Sequence, residues 1–174
     1  MIKLVACDMD GTLLDSQKRL PADFPQVMTA LKERGVCFAV ASGRQYAALR
    51  RDFEAYLEDM MFICENGALV MQRDERLLID PIDPRELCRI VTAAKNLRGV
   101  YPVVCRAEMA LIEKTASPEF VRNTCMYYPS VQVVDDLTEY CNLGDVCKVA
   151  FYDEYDAQTH ELPELQSKLE PELS

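Results

Sequence analysis

Ile2-Lys3-Leu4-Val5-Ala6-Cys7-Asp8-Met9-Asp10-Gly11-Thr12-Leu13-Leu14 decides the fold. Its first half is a short apolar run, β-branched in part, that stops at an acidic residue, as a buried strand of a parallel sheet does. Its second half places two carboxylates at alternate positions before a glycine. One side chain and one backbone carbonyl of such a loop can grip a hard cation while the second carboxylate stays free for proton transfer. That chemistry suits phosphoryl transfer, in which a carboxylate attacks phosphorus and Mg²⁺ offsets the repulsion between two anions. Taken alone, Asp-x-Asp-Gly reads more readily as a solvated turn after a strand.

Outward from this segment the chain alternates. Apolar residues Phe24, Val27, Met28 and Leu31 fall at helical spacing within 21–34, and Gly35 supplies a stop. Val36 to Ala41 reads as a second strand, ended by Ser42-Gly43-Arg44. A helix is expected from about Gln45 to Leu57, and Met61 to Cys64 as a third strand. Strand, helix, strand, helix, strand predicts an α/β, Rossmann-like doubly wound sheet whose ligands bind beyond the carboxyl ends of the strands. Asp8, Ser42 and Glu65-Asn66-Gly67 all fall at those ends. Residues 68–71 and 76–79 then read as a hairpin about a polar turn, and Pro81 and Pro84 punctuate a boundary. Beyond it, helices are expected at 84–98 and 118–126, strands at 100–106, 109–114 and 147–152, and an amphipathic helix in the tail from Asp156.

Asp8-x-Asp10-Gly11-Thr12-Leu13-Leu14 resembles the first motif of the haloacid dehalogenase-like hydrolases. Ala41-Ser42-Gly43-Arg44 followed by Glu65-Asn66-Gly67-Ala68 resembles their Cof-type phosphatase branch. The motifs occur in family order, each at a strand end, over positions 1 to about 155. The resemblance implies an N-terminal part of the catalytic core over 1–81 and an incomplete α/β cap over 82–174. It implies Asp8 as nucleophile and Mg²⁺ ligand. Asp10 would act as acid and base and lend its main-chain carbonyl to the metal. Phosphate would be held by the Ser42 hydroxyl and the backbone N–H groups of Met9, Gly11 and Gly43. Arg44 is either substrate-side or structural, and Asn66 either borders the substrate entrance or caps a turn. Ser42 also suits a helix N-cap.

The family's third motif, with a phosphate-binding Lys, and its fourth, with acidic metal ligands, normally follow the cap. Lys148 is assigned to the cap, and Glu161, Glu164, Glu170 and Glu172 lack the acidic motif's arrangement. The expectation is a weak phosphatase as this chain alone, with an exposed sheet edge open to self-association. The expected substrate is a small phosphorylated metabolite such as a sugar phosphate. A phosphohexomutase, a receiver-type signalling module and a catalytically silent binding module remain alternatives.

Composition narrows the partners. With 29 Asp and Glu against 19 Lys and Arg, the net charge of -10 disfavours nucleic acid and anionic membrane surfaces. Eight cysteines without a Cys-x-x-Cys pair fall below the density of a disulfide scaffold and suit reduced thiols. No run approaches the ~18 apolar residues of a membrane span, so a cytoplasmic location is expected. A lone histidine, His160, leaves a Ser-His-Asp triad or a His-containing zinc cluster nothing to build on.

Overall fold

A computed structural model of the protein describes residues 1–155 together with Pro163, Leu165 and Ser167. The tail helix expected from Asp156, with His160 and the tail glutamates, lies outside the described residues apart from Pro163, Leu165 and Ser167, which are helical; Leu165 is buried beside Leu97 and Val100. The chain forms two compact units, Met1–Asp80 and Pro81–Ser174.

In the first unit, strands β1 (Leu4–Asp8), β2 (Cys37–Ala41) and β3 (Met60–Cys64) pair in parallel, in that order. Helices α1 (Phe24–Glu33) and α2 (Tyr46–Asp52) connect them. Because both crossovers step the same way along the sheet, the right-handed rule sends both helices to one face. The aromatic contacts agree: Phe24 of α1 meets Phe38 of β2 edge-on at 5.6 Å, and Tyr46 of α2 meets Phe62 of β3 at the same spacing. Phe53, Leu49, Met60 and Phe62 are almost wholly buried in this layer. Their burial outweighs the continuous helix expected to Leu57. At Phe53 the backbone leaves helical geometry (φ -120°), the ring turns inward, and Glu54–Tyr56 continues as a single 3-10 turn.

The expected hairpin is present as β4 (Leu69–Gln72) and β5 (Glu75–Ile79), antiparallel to β3 and to each other, so the sheet is mixed. At its other edge β1, expected as a buried strand, pairs only with β2 among the described residues and leaves Leu4 and Val5 well exposed, because no further strand or helix covers it there; such an edge is a template for another strand.

The second unit has a sheet ordered β8 (Val131–Val134), β7 (Ala110–Glu113), β6 (Val100–Arg106), β9 (Val146–Asp153). Helix α3 (Pro84–Lys95) starts at Asp83, whose carboxylate accepts from the Arg85 N–H. Helix α4 (Pro118–Tyr127) starts at Ser117, whose hydroxyl accepts from the Phe120 N–H. Alternation along β6 sends Val104 towards Leu87 and Val91 of α3, and Val103 and Cys105 towards Phe120 of α4, so helices cover both faces. Strand β8, which joins parallel to β7, is absent from the sequence expectation. All eight cysteines are free thiols. Among the described residues no helix is long and apolar enough to cross a membrane.

The β4–β5 turn carries Arg73 (φ 52°) and Asp74 (φ 59°), both in the left-handed region that a two-residue hairpin requires and glycine or asparagine usually fills. Asp74 is tethered to α2. It accepts from Arg50 Nε and Nη2 at 2.8 and 2.9 Å and from the Tyr46 hydroxyl at 2.6 Å. Those bonds, Arg50 first, hold its carboxyl down at about 2. A carboxylate depressed in the folded state stabilises above its unfolded pKa and loses that contribution as pH falls through the folded one. Chemical denaturation between pH 5 and 2.5 is therefore expected to show a steeper loss of stability for the wild type than for Asp74→Asn. The difference should be under about 1 kcal/mol, because the pair is half exposed. Arg73→Gly should raise stability by about 0.5–1 kcal/mol by relieving left-handed strain, net of the added chain entropy.

Candidate active site

The loop after β1 is built around one buried side chain. Met9 is 1% exposed, and the alternation of the strand continues into the loop, so Asp8 and Asp10 on either side of it reach solvent. Leu13 and Leu14 drop back into the core, and their N–H groups bond the carbonyls of Asp8 and Met9 at 3.1 and 2.9 Å. Gly11 turns the chain between them in left-handed geometry (φ 81°).

The two carboxylates are treated differently. The Asp8 carboxylate is exposed and has no hydrogen-bond or ion-pair partner among the described residues. That of Asp10 is gripped by two cations. Arg44 Nη2 donates to its two oxygens at 2.8 and 3.2 Å, and Lys18 Nζ to Oδ1 at 2.7 Å. Lys18 first, then Arg44, hold the Asp10 carboxyl below its ordinary value against a partial opposing desolvation. Lys18 is set by its own loop. Asp15 accepts from the N–H groups of Gln17 and Arg19 and from the Arg19 side chain, which leaves Lys18 left-handed (φ 60°) at the apex.

The loops after β2 and β3 are zipped together. Ser42 N–H donates to the Ile63 carbonyl at 2.9 Å, Glu65 N–H to that of Arg44 at 3.2 Å, and Asn66 N–H to that of Ser42 at 3.3 Å. Ser42 is not a helix N-cap. Helix α2 begins two residues beyond Arg44 with Gln45 as its cap, and the Ser42 Oγ accepts instead from the Arg44 N–H at 3.2 Å. The Arg44 side chain runs the other way, to Asp10 and, through Nη1, to Asp52 at 3.2 Å. Parallel register places Asp8 beside Ala41 and Ala41 beside Ile63. Asp8, Met9, Asp10, Gly11, Ser42, Gly43, Arg44 and Asn66 therefore lie at one end of one sheet, within the first unit.

Sequence reasoning missed Lys18, Asp15, Asp52 and the burial of Glu65, which is 2% exposed. The only signal for the first two is a polar run, Asp15 to Arg19, directly after the apolar Leu13-Leu14 pair. Lys148 lies on β9 in the second unit, its ammonium 5.8 Å from the Tyr128 ring centre. Tyr128 packs into the core there, whereas Tyr127 is exposed.

A hard cation has oxygen donors here in the free Asp8 carboxylate and in main-chain carbonyls of its loop. No group of three or more acidic, histidine or cysteine residues suited to a metal occurs among the described residues. Mg²⁺ commonly binds through one or two carboxylates plus substrate phosphate and keeps several waters, and the donor set fits that mode.

The model of the haloacid dehalogenase-like hydrolase family matches residues 5–174. The 5-amino-6-(5-phospho-D-ribitylamino)uracil phosphatase YbjI of Escherichia coli (strain K12) is 29% identical over 150 residues, 83% of this chain and 53% of that protein. The chain thus spans about half the length of that relative. A solved structure from Eubacterium rectale superposes with a TM-score of 0.83 at 22% identity, covering 98% of this chain and 64% of that one. The sugar phosphatase BT4131, of subclass IIB of that superfamily, superposes with a TM-score of 0.61 at 19% identity, over 83% and 56%. Sequence match, sheet order and the clustering of three loops at one sheet end agree, and the chain belongs to the haloacid dehalogenase-like hydrolases.

Proposed function

We propose that the chain serves Mg²⁺-dependent hydrolysis of a small phosphomonoester through an aspartyl phosphate on Asp8. The observation that carries this reading is the asymmetry of the two carboxylates. A nucleophile needs an unencumbered oxygen, which Asp8 has; an acid and base needs a fixed position, which Arg44, itself anchored at Asp52, gives Asp10. In the first step an Asp8 oxygen bonds to phosphorus, the bond from phosphorus to the ester oxygen breaks, and Asp10 gives its proton to the departing oxygen. In the second, Asp10 takes a proton from water as that water displaces Asp8 and releases inorganic phosphate.

The Ser42 hydroxyl and the N–H groups of Met9, Gly11 and Gly43 hold the non-bridging oxygens. Mg²⁺, held by Asp8 and the Asp10 carbonyl, would neutralise the charge of the phosphoryl group. The unit to about residue 81 supplies the chemistry, and the unit that follows supplies the substrate-selecting cap. The name of the Escherichia coli relative, a phosphatase of a phosphorylated ribityl compound, supports a sugar-phosphate-like substrate.

Hydrolysis of p-nitrophenyl phosphate by the 174-residue chain, with and without EDTA, tests the reading. Activity is expected to vanish with EDTA and in Asp8→Asn, whose fold should be retained. Asp10→Asn should lose ~10²–10⁴-fold, the usual share of a general acid and base. Near wild-type turnover by Asp8→Asn, or a beryllium fluoride adduct on a residue other than Asp8, would refute the assignment.

Arg44→Lys should lose the simultaneous grip on Asp10 and Asp52, because an ammonium lacks the planar fork. Its expected signature is a fall in kcat larger than any rise in KM.

A further inference from the structure

Glu65 (φ 49°), Asn66 (φ 61°) and Gly67 (φ 101°) are three consecutive residues in the left-handed region, immediately after β3. Only the last is a glycine. Left-handed geometry costs a non-glycine residue roughly 1–2 kcal/mol, with asparagine among the more tolerant types, so the segment persists because its surroundings over-determine it. Those surroundings are the Ser42–Arg44 turn. The strained residues give their N–H groups to its carbonyls, Glu65 to Arg44 and Asn66 to Ser42.

The side chain of Asn66 completes the clamp. The three atoms nearest to a Cβ built on Gly43 are all from the Asn66 side chain, and Oδ1 would collide with it. Gly43 does not have the left-handed backbone that demands glycine. The space beside Gly43 is taken by the Asn66 side chain, which a methyl group at 43 would have to displace.

We propose that Asn66 is a positioning residue: its side chain, seated on Gly43, holds the Ser42–Arg44 turn in the shape that presents the Ser42 hydroxyl and the Gly43 N–H to a phosphoryl oxygen. This rests on the phosphate-binding reading above and adds to it a residue that acts through the turn. On this reading Asn66 caps a turn on another loop rather than bordering the substrate entrance. The left-handed triplet places Asn66 where its backbone N–H bonds the turn and its side chain packs against Gly43.

The test uses the 174-residue chain, inorganic phosphate with Mg²⁺ as the probe, and isothermal titration calorimetry, with thermal unfolding as the control. Asn66→Gly keeps the left-handed backbone and removes the side chain. It should weaken phosphate binding ~10-fold, the scale of one hydrogen bond to phosphate presented out of line by the loosened turn, while Tm moves by no more than a few degrees. Gly43→Ala alone should weaken binding at least as much, because its methyl group meets Asn66 Oδ1. In the Asn66→Gly background the same methyl group has space, so the double variant should bind as Asn66→Gly does.

Phosphate binding by Asn66→Gly within twofold of wild type overturns the proposal, as does strict additivity of the two substitutions. If Gly43→Ala does not fold, Asn66→Gly alone decides. Absence of phosphate binding by the wild type would instead bring down the phosphate-site reading, and this proposal with it.

Discussion

Arg44 ties the site together. Its backbone N–H reaches the Ser42 hydroxyl, its carbonyl receives the Glu65 N–H, and its guanidinium spans Asp10 and Asp52. One residue thereby joins the loops after β1, β2 and β3 to the end of α2. A partly exposed ion pair contributes only ~0–1 kcal/mol to stability, so the value of this arrangement lies in position. A planar fork with two acceptors in fixed places cannot swing as a lysine can. Remove it and Asp10 keeps a single, largely exposed partner in Lys18.

The rest of the site follows from the need to crowd polar loops at the end of a sheet without leaving backbone groups unpaired. Strand ends expose carbonyls and N–H groups, and burial without partners is costly. Here the partners come from the neighbouring loop, which is why the β2 and β3 loops are zipped by three backbone bonds. That zip requires the left-handed triplet at 65–67. Strain on one loop is thus balanced by hydrogen bonds on both. The buried phenylalanines beneath, 24, 38, 53 and 62, supply the rigid floor that keeps the strand ends in register.

Much of this was legible in sequence, for physical reasons. Continuous apolar runs ended by Ser42 and Glu65 are what buried strands look like, whereas the similar run ended by Asp8 forms an exposed edge strand; the motifs sit where all three strands end. Strand β8 was not legible, because Val131-Gln132-Val133-Val134 is short, lies at a sheet edge and follows a Pro-Ser pair. The break at Phe53 was hidden because helical spacing does not reveal that one ring gains more by turning inward. The contacts from Arg44 and Lys18 to Asp10 link residues 34 and 8 positions apart across a turn whose shape no local pattern encodes. Ser42 as a helix cap failed for a related reason: helix α2 starts later than the polar run suggests, and the hydroxyl is used within its own turn.

The cations on Asp10 raise a chemical question that the proposed mechanism has to meet. A general acid needs a proton to give, and two positive charges keep a carboxyl ionised. The resolution lies in what the substrate brings. A phosphoryl dianion entering beside Lys18 and Arg44 competes with Asp10 for the same donors, and each donor it draws away removes a cause of the depressed proton affinity. The negative charge of the phosphate adds repulsion that favours the neutral carboxyl. Lys18, two-thirds exposed on a turn apex, is free to make that shift, while Arg44, anchored at Asp52 and in its own backbone, is not. On the proposed mechanism Lys18 would follow the phosphate while Arg44 keeps Asp10 in place. Substrate arrival itself would convert Asp10 from a locked carboxylate into an acid.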